Sequence, residues 1–288
     1  MALIVFCVAL RATPNDIASL LRQPSLLVRS LFAMNVIVPL FAITLVLLFQ
    51  VRHELAITLI ALSVSPIPPF VPKKQIKASN DASYVIGLLA IVGVVSIVFV
   101  PGAVALLGWF SGHPLNVPVE TIAWIIGTSV LAPIFAGMLV HAVAPPLAER
   151  IADGLSLAST ILLLVCLLPV LISIWPAIWA LIGNLTLVAI AVFVLFGLAA
   201  GHVLGGPSPG NRTVLALSAA TRHPAVAFAI IKANLQPGAT DMNEVLAAVI
   251  LYLLFGAIVS LPYVKWRRSL LQAETAVTDA GADRRSTT

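Results

Sequence analysis

Charged residues are scarce in this 288-residue sequence: Asp, Glu, Lys and Arg make up only 9% of it, whereas 60% is hydrophobic. A soluble domain carries about 25% charged residues because its surface must stay hydrated. The apolar residues here form runs of roughly 20, the length with which a helix crosses the ~30 Å hydrocarbon layer of a bilayer. These features exclude an ordinary soluble protein. They predict an all-α membrane protein, since open strand edges cannot be satisfied in lipid.

Cysteine is rarer still, with two residues, and the residue groupings typical of metalloproteases are missing. Cys7 and Cys166 each stand alone in an apolar run, as small buried side chains do, rather than in a disulfide or metal-site pattern. The sequence contains no His-Glu-x-x-His and no pair of acids within one apolar run. We therefore predict that the protein is not an enzyme and binds no cofactor.

Polar breaks divide the apolar sequence into nine predicted membrane-spanning helices. In chain order these are Ala2–Leu10, Leu27–Gln50, Ala56–Pro72, Ala82–Phe110, Thr121–Val143, Leu155–Ile174, Leu185–Leu204, Thr213–Leu235 and Val245–Val264. The first is short enough to be the apolar region of a signal peptide. No basic region precedes it, which favours a short membrane helix.

Basic residues occupy alternate loops between these segments. The odd-numbered loops and the C-terminal side hold Arg11, Arg22, Arg29, Lys73, Lys74, Lys77, Arg150, Arg212, Lys265, Arg267 and Arg268. The intervening loops hold one basic residue, Arg52, and the acids Glu54, Glu120, Asp241 and Glu244. Lys232, at the outer end of the eighth segment, is an exception to this alternation. Because basic residues favour the cytoplasmic side, we predict a multi-pass protein of the inner (cell) membrane with its N-terminus outside and its C-terminus in the cytoplasm.

The same clustering accounts for the net charge of +5, so the expected partner is the lipid bilayer and not nucleic acid. The oligomeric state is not readable from the sequence.

The third segment cannot be an uninterrupted helix. It reads ALSVSPIPPFVPKK, with Pro66, Pro68, Pro69 and Pro72 in close succession. Each proline removes a backbone donor and clashes with the preceding turn. An ordinary short helix followed by a cytoplasmic loop is the alternative interpretation.

The eighth segment carries a charge and a proline near its middle, in the sequence Arg222-His223-Pro224. A charge at mid-membrane costs at least about 2.5–3.5 kcal/mol, so Arg222 should face a partner or a water-filled cavity. Pro224 leaves the carbonyl of Ala220 without its helical donor, and this oxygen also needs a partner. A simple proline kink is the alternative here.

The two interrupted segments occupy equivalent places if the chain is built from five-helix units, the first of which lacks its first helix here. Each is then the fourth helix of its unit, and an odd number of helices per unit gives the two units opposite orientations. Paired broken helices that meet at the midplane are typical of secondary transporters built from inverted repeats. We therefore predict such an architecture and a transport function.

Three stretches carry a resemblance to a known family. They are FCVALRATPNDIASLLRQPSLLVRSLFAMNVIVPL, LAPIFAGMLVHAVAPPLAERIADGLSLASTILLL and NRTVLALSAATRHPAVAFAII. Together they resemble the second and third, the sixth and seventh, and the ninth helices of the bile acid:sodium symporter family. This resemblance implies a nine-helix form with two crossing broken helices in one transmembrane unit, residues 1–268. A panel domain would comprise roughly 1–25 and 119–176, and a core domain roughly 26–118 and 177–264. Residues 269–288 are predicted to be a disordered cytoplasmic tail.

The sodium-binding positions of that family differ in this chain. By the resemblance, they fall near Val71, Pro72, Leu217 and Thr221. Sodium requires a cage of oxygens, and the side chains of valine, proline and leucine supply none. Sodium coupling of the usual kind is therefore doubtful.

The substrate is predicted to be a small organic anion, bound where the two interruptions meet. The predicted substrate-binding residues are Pro69, Pro72, Lys73, Lys74, Thr221, Arg222, His223 and Pro224. Proton coupling through His223, Asp81 or His202 is one alternative, and facilitated transport of another small solute is a second. A channel or a sensor on the same scaffold is a third.

Overall fold

The computed structural model describes residues 1–49, 51–79, 81–182, 185–235 and 242–286, and within these ranges all regular structure is helical. The first helices are α1 (Ala2–Ala9), α2 (Pro14–Leu21), α3 (Pro24–Phe32), α4 (Val38–Phe49), α5 (His53–Val64), α6 (Pro72–Ser79) and α7 (Ala82–Ser111). They are followed by α8 (Val119–Ile126), α9 (Ala132–Val143), α10 (Pro145–Leu181), α11 (Thr186–Leu204), α12 (Pro209–Ala220), α13 (Pro224–Asn234), α14 (Met242–Val259) and α15 (Leu261–Ser286). A π-helical turn joins α3 to α4 (Ala33–Ile37), and another joins α8 to α9 (Gly127–Leu131).

Seven helical stretches among the described residues are long and apolar enough to cross a membrane. They are Pro24–Phe49, Ala82–Ser111, Val119–Val143, Pro145–Leu181, Thr186–Leu204, Pro209–Asn234 and Met242–Ala273. Each coincides with a predicted segment, which confirms a multi-pass helical membrane protein. The first predicted segment corresponds to α1, which forms a 91° bend with α2, and the third contains the short apolar helix α5. The total of nine stays a prediction.

Some predicted boundaries differ from the structure. The sixth segment is extended at both ends into the 37-residue helix α10, so the predicted loop around Arg150 is helical. Proline does not end α10 at Pro169 or Pro176, because lipid offers no competing hydrogen bonds to the helix. Helix α15 includes residues up to Ser286, and the disorder of 269–288 stays a prediction. The end of the second segment at Gln50 and the predicted outer-loop acid Asp241 lie outside the described residues.

Both predicted interruptions are confirmed. Helix α5 ends at Val64, the backbone of Ser65 is extended, and α6 begins at Pro72. Helix α12 ends at Ala220, Thr221 is extended, and α13 begins at Pro224. In both cases proline is the first helical residue, where its missing N–H and fixed φ are favourable.

Small residues bring α11 and α12 into close contact. A Cβ atom added to Gly201 would lie 2.5 Å from the Cα of Ala216, and one added to Gly197 would lie 2.8 Å from Ala219 O. Only glycine permits this approach, because every other residue would place a side chain inside the backbone of α12. The first half of the broken eighth segment, α12, is thereby held against the unbroken helix α11.

The amphipathic helix α2 is fastened to α7 by a half-buried carboxylate. Asp16 accepts hydrogen bonds from the backbone N–H and the hydroxyl of Thr13 in a capping box and from the hydroxyl of Ser83. Burial alone would raise the pKa of Asp16, but these hydrogen bonds outweigh it and hold the pKa below its ordinary value. The polar turn between the first two predicted segments is thus a fixed part of the fold.

Candidate functional site

The two interruptions meet directly. The backbone N–H of His223 donates to Pro66 O at 2.8 Å, which joins the second break to the first. The N-termini of α6 and α13 and the C-termini of α5 and α12 all lie at the breaks. Helix termini carry partial charges and unsatisfied backbone groups, so the crossing is a polar centre within an apolar bundle.

Arg222 occupies this centre and is fully buried. Its terminal nitrogens donate to Ser65 O at 3.2 Å, at the end of α5, and to Met34 O at 3.0 Å, in the first π-helical turn. The expected partner of the buried charge is therefore a pair of main-chain carbonyls and not a carboxylate. The Nε atom of Arg222 has no hydrogen-bond partner among the described residues.

His223 connects the crossing to the second π-helical turn. Its Nδ1 accepts a hydrogen bond from the N–H of Val226 (3.4 Å) and so caps the N-terminus of α13. The neutral ring therefore carries its proton on Nε2, which lies 3.3 Å from the hydroxyl of Ser129. Ser129 in turn donates to Ile125 O. Each π-helical turn described in the structure thus contacts one member of the Arg222-His223 pair.

The carbonyl that Pro224 deprives of its donor is satisfied by Tyr252 on α14. The fully buried hydroxyl of Tyr252 donates to Ala220 O at 2.8 Å. This confirms that Ala220 O requires a partner, although the sequence did not indicate which residue supplies it. Tyr252 therefore stabilises the end of α12 at the break.

Replacing Tyr252 with phenylalanine is expected to lower the free energy of unfolding by about 1–3 kcal/mol, because Ala220 O becomes a buried acceptor without a donor. The matched control is Tyr84→Phe. It also removes a buried hydroxyl, but its partner Ser30 keeps a hydrogen bond to Leu26 O. Thermal unfolding of both variants in the same detergent measures the difference. Equal losses would contradict the role assigned to Tyr252.

A cavity of about 130 Å³ lies beside the crossing. Its lining contains parts of both breaks and one face of α14, namely Phe70, Val71, Lys74, Ala220, Thr221, Tyr252, Leu253, Gly256 and Ala257. The structure therefore brings together Lys74 and Thr221, two of the predicted site residues. Arg222 does not line this cavity.

Lys73 points away from the crossing. Its Nζ lies 3.3 Å from the hydroxyl of Thr160 and 3.4 Å from Ser156 O, both on α10. It borders a second cavity of about 410 Å³ lined by Cys7, Val8, Arg11, Lys73, Ile76, Lys77, Ala82, Ile86, Ala152, Asp153, Ser156 and Leu157. The adjacent residues Lys73 and Lys74 thus border different cavities on two sides of the short helix α6.

The remaining predicted site residues lie in the breaks or at the ends of helices, or are buried or half-buried. Pro69 is buried in the first break, while Pro72 and Pro224 begin the helices that follow the breaks. Of the aligned sodium positions, Val71 and Leu217 are buried aliphatic side chains and Thr221 is half-buried. Their participation in substrate or ion binding stays a prediction.

Several functional candidates were missed in the sequence because nothing in their local sequence distinguishes them. Gln75 on α6 donates from its Nε2 to Val214 O at 3.1 Å and to the hydroxyl of Ser218 at 2.6 Å, so it ties the half-helices α6 and α12 together. Ser129, Met34 and Tyr252 became candidates only through their contacts with the crossing.

Comparison with known proteins identifies the family to which the chain is similar. The chain matches the sodium bile acid symporter family over residues 1–175, which include the first break, Lys73, Lys74 and the first part of the structure up to α10. The second break lies beyond the matched range. A search of curated proteins gives no match. The members of the matched family are membrane transporters and not enzymes. Because the match covers more than half of the chain, this protein belongs to the sodium bile acid symporter family.

Proposed function

We propose that the protein is a secondary transporter that moves a small organic anion across the cell membrane without coupled sodium. The observation that carries this proposal is the charge around the 410 Å³ cavity. Three cationic side chains, Arg11, Lys73 and Lys77, border it together with a single carboxylate, Asp153. Its volume lies within the range of about 300–1,000 Å³ that is typical of small-molecule sites.

The single carboxylate does not neutralise this cavity. Asp153 forms an ion pair with Arg11 at 3.0 Å, and both side chains are exposed. Exposed ion pairs contribute only about 0–1 kcal/mol, so a substrate carboxylate or sulfonate can compete for Arg11. Lys73 and Lys77 have no carboxylate partner among the described residues. An anionic substrate would supply one.

The residues at the crossing support a mechanism without sodium. A hard cation would need several oxygens there, preferably with a carboxylate. Ser65 O and Met34 O already accept hydrogen bonds from Arg222, and the aligned positions Val71 and Leu217 offer only aliphatic groups. The guanidinium thus provides a permanent positive charge where a coupled cation would bind its oxygens.

Helix α6 connects the two cavities mechanically. Lys73 on one side contacts α10, which belongs to the predicted panel domain. Gln75 and Lys74 on the other side contact or face α12 and α14 of the predicted core domain. In the proposed cycle, α6 and α12 move together as the inner halves of the inverted repeats, while α10 stays in place. Breaking the Lys73 contacts with α10 would accompany each opening.

The test is uptake of labelled organic anions into proteoliposomes, with sodium replaced by choline. Lys73→Gln is expected to reduce uptake roughly tenfold or more, since hydrogen bonds to charged groups contribute about 1.5–3 kcal/mol. Lys232→Gln, which removes the same charge from an exposed position on α13, is the matched control and should retain uptake. Strict dependence on sodium would refute the mechanism, and equal loss in both lysine variants would refute the site.

Proton coupling is the second candidate, because His223 bridges α13 and the span that contains Ser129. The other titratable candidates are engaged elsewhere: Asp81 accepts a hydrogen bond from Tyr84 N at the start of α7, and His202 lies 2.8 Å from the hydroxyl of Tyr263. Uptake driven by an imposed pH gradient and lost in His223→Gln would favour this candidate over uncoupled transport.

A further inference from the structure

We propose that the end of the bundle formed by α3, the turn after α11 and the start of α12 binds the phosphate headgroup of an anionic phospholipid. Two arginine side chains converge there on Gly206. Arg212 donates from its Nε to Gly206 O at 2.6 Å. The NH1 atom of Arg29 lies 3.7 Å from the position that a Cβ of Gly206 would occupy.

Neither arginine is neutralised within the described part of the chain. The ion pairs there involve Arg11 and Arg52, and Arg52 contacts both Glu54 and Glu244. Arg29 is exposed and Arg212 is half-buried, so both guanidinium groups remain accessible. Two planar guanidinium groups that flank one turn match the several acceptor oxygens of a phosphate group.

Hydrogen bonds fix the turn that carries Gly206 and the start of α12, so Arg212 is held in position. Arg267 is buried and donates to Pro209 O at 2.9 Å and to the hydroxyl of Thr213 at 2.8 Å. The hydroxyl of Tyr263 also donates to Arg212 O at 3.4 Å. Gly206 itself has φ = 80°, a backbone conformation that favours glycine and permits this tight turn. The Arg212 side of the basic site is therefore preformed, and Arg29 lies next to it without a hydrogen bond to the described residues.

The surroundings favour an amphiphile over a free anion. Large apolar side chains next to the site face outward: Val203 on α11 is 76% exposed and Phe32 on α3 is 46% exposed. Trp266, which stacks beneath the Arg267 guanidinium at 5.3 Å, is half-exposed. Tryptophan is enriched at membrane interfaces, and basic pockets between membrane helices bind anionic headgroups. Acyl chains would lie along Val203 and Phe32 while the phosphate contacts the two arginines.

The test uses the full-length protein in neutral detergent, titrated with phosphatidylglycerol while thermal unfolding is followed. The lipid is expected to raise the Tm of the wild type by several degrees, and phosphatidylcholine with the same chains should not. The midpoint concentration should rise about fivefold in Arg29→Gln and roughly thirtyfold in Arg29→Gln/Arg212→Gln. Arg29 donates no hydrogen bond to the described residues, so its single variant remains informative if the double variant does not fold.

The control is Arg22→Gln/Arg150→Gln, which removes two exposed arginines from the same predicted membrane face. This variant should keep the response of the wild type. If the control bound the lipid as weakly as the double variant, the effect would be due to overall positive charge and not to this site, which would overturn the proposal. Inorganic phosphate alone is tested in the same way. If it raises the Tm of the wild type equally and does not raise that of the double variant, the site binds a free anion, and the proposal of a lipid ligand is overturned.

Discussion

Replacement of Arg222 with glutamine is expected to abolish transport and to lower the free energy of unfolding substantially. The guanidinium is fully buried and donates to Ser65 O and Met34 O, on two different predicted membrane segments. A glutamine is too short to reach both oxygens, and each carbonyl left without a donor costs about 1–3 kcal/mol. The first break then loses its connection to the π-helical turn at Ala33–Ile37.

One further variant separates the charge of Arg222 from its geometry, and another serves as a control. Arg222→Lys retains the charge but not the planar fork, so we expect intermediate stability and strongly reduced uptake. Arg150→Gln removes an arginine from an exposed position on α10 and should change neither property. Thermal unfolding and proteoliposome uptake would be measured on all three proteins. Wild-type uptake in Arg222→Gln would show that the crossing does not depend on the guanidinium.

The second large effect is expected from Gly201→Ala, which should destabilise the protein by about 1–3 kcal/mol or more and impair transport. The added methyl group would lie 2.5 Å from the Cα and 2.6 Å from the N of Ala216. Both are backbone atoms of α12, and they cannot rotate away as a side chain can. Relief therefore requires α12 to move from α11, which displaces the end of α12 at the crossing.

Gly102→Ala is the matched control for this prediction. Gly102 lies in the membrane helix α7, and an added Cβ there meets nothing within 4 Å. Alanine is the better helix former by roughly 0.5–1 kcal/mol, so this variant should be neutral or slightly stabilising. Opposite signs for the two substitutions in thermal unfolding would support the close packing of α11 on α12. Similar small changes in both would contradict it.

The interruptions were predictable because their causes are local. Proline removes a donor wherever it stands in a helix, and a charge between apolar runs needs a partner whatever the fold. These rules correctly predicted the breaks before Pro72 and Pro224 and the need of Ala220 O for a donor. The family was recognisable for the same reason, since its helix patterns are continuous stretches of sequence.

The partners at the site were not predictable, because they come from distant parts of the chain. Met34, Ser129 and Tyr252 are each unremarkable residues in apolar helices, and only packing places them beside Arg222, His223 and Ala220. The separation of Lys73 from Lys74 likewise depends on the rotation of α6 about its axis. In a loop, as the sequence suggested, the two lysines would have had the same environment.

The sequence by itself determined that lipid surrounds this protein, where most of its helices run, and where two of them cannot continue. Each of these properties follows from composition and from steric rules that act over a few residues. Only the tertiary structure decided that the buried arginine is held by carbonyl oxygens and that a tyrosine closes the second break. It also decided that the basic residues of α6 face two separate cavities. Such contacts join residues up to 188 positions apart, and they form only when whole helices pack.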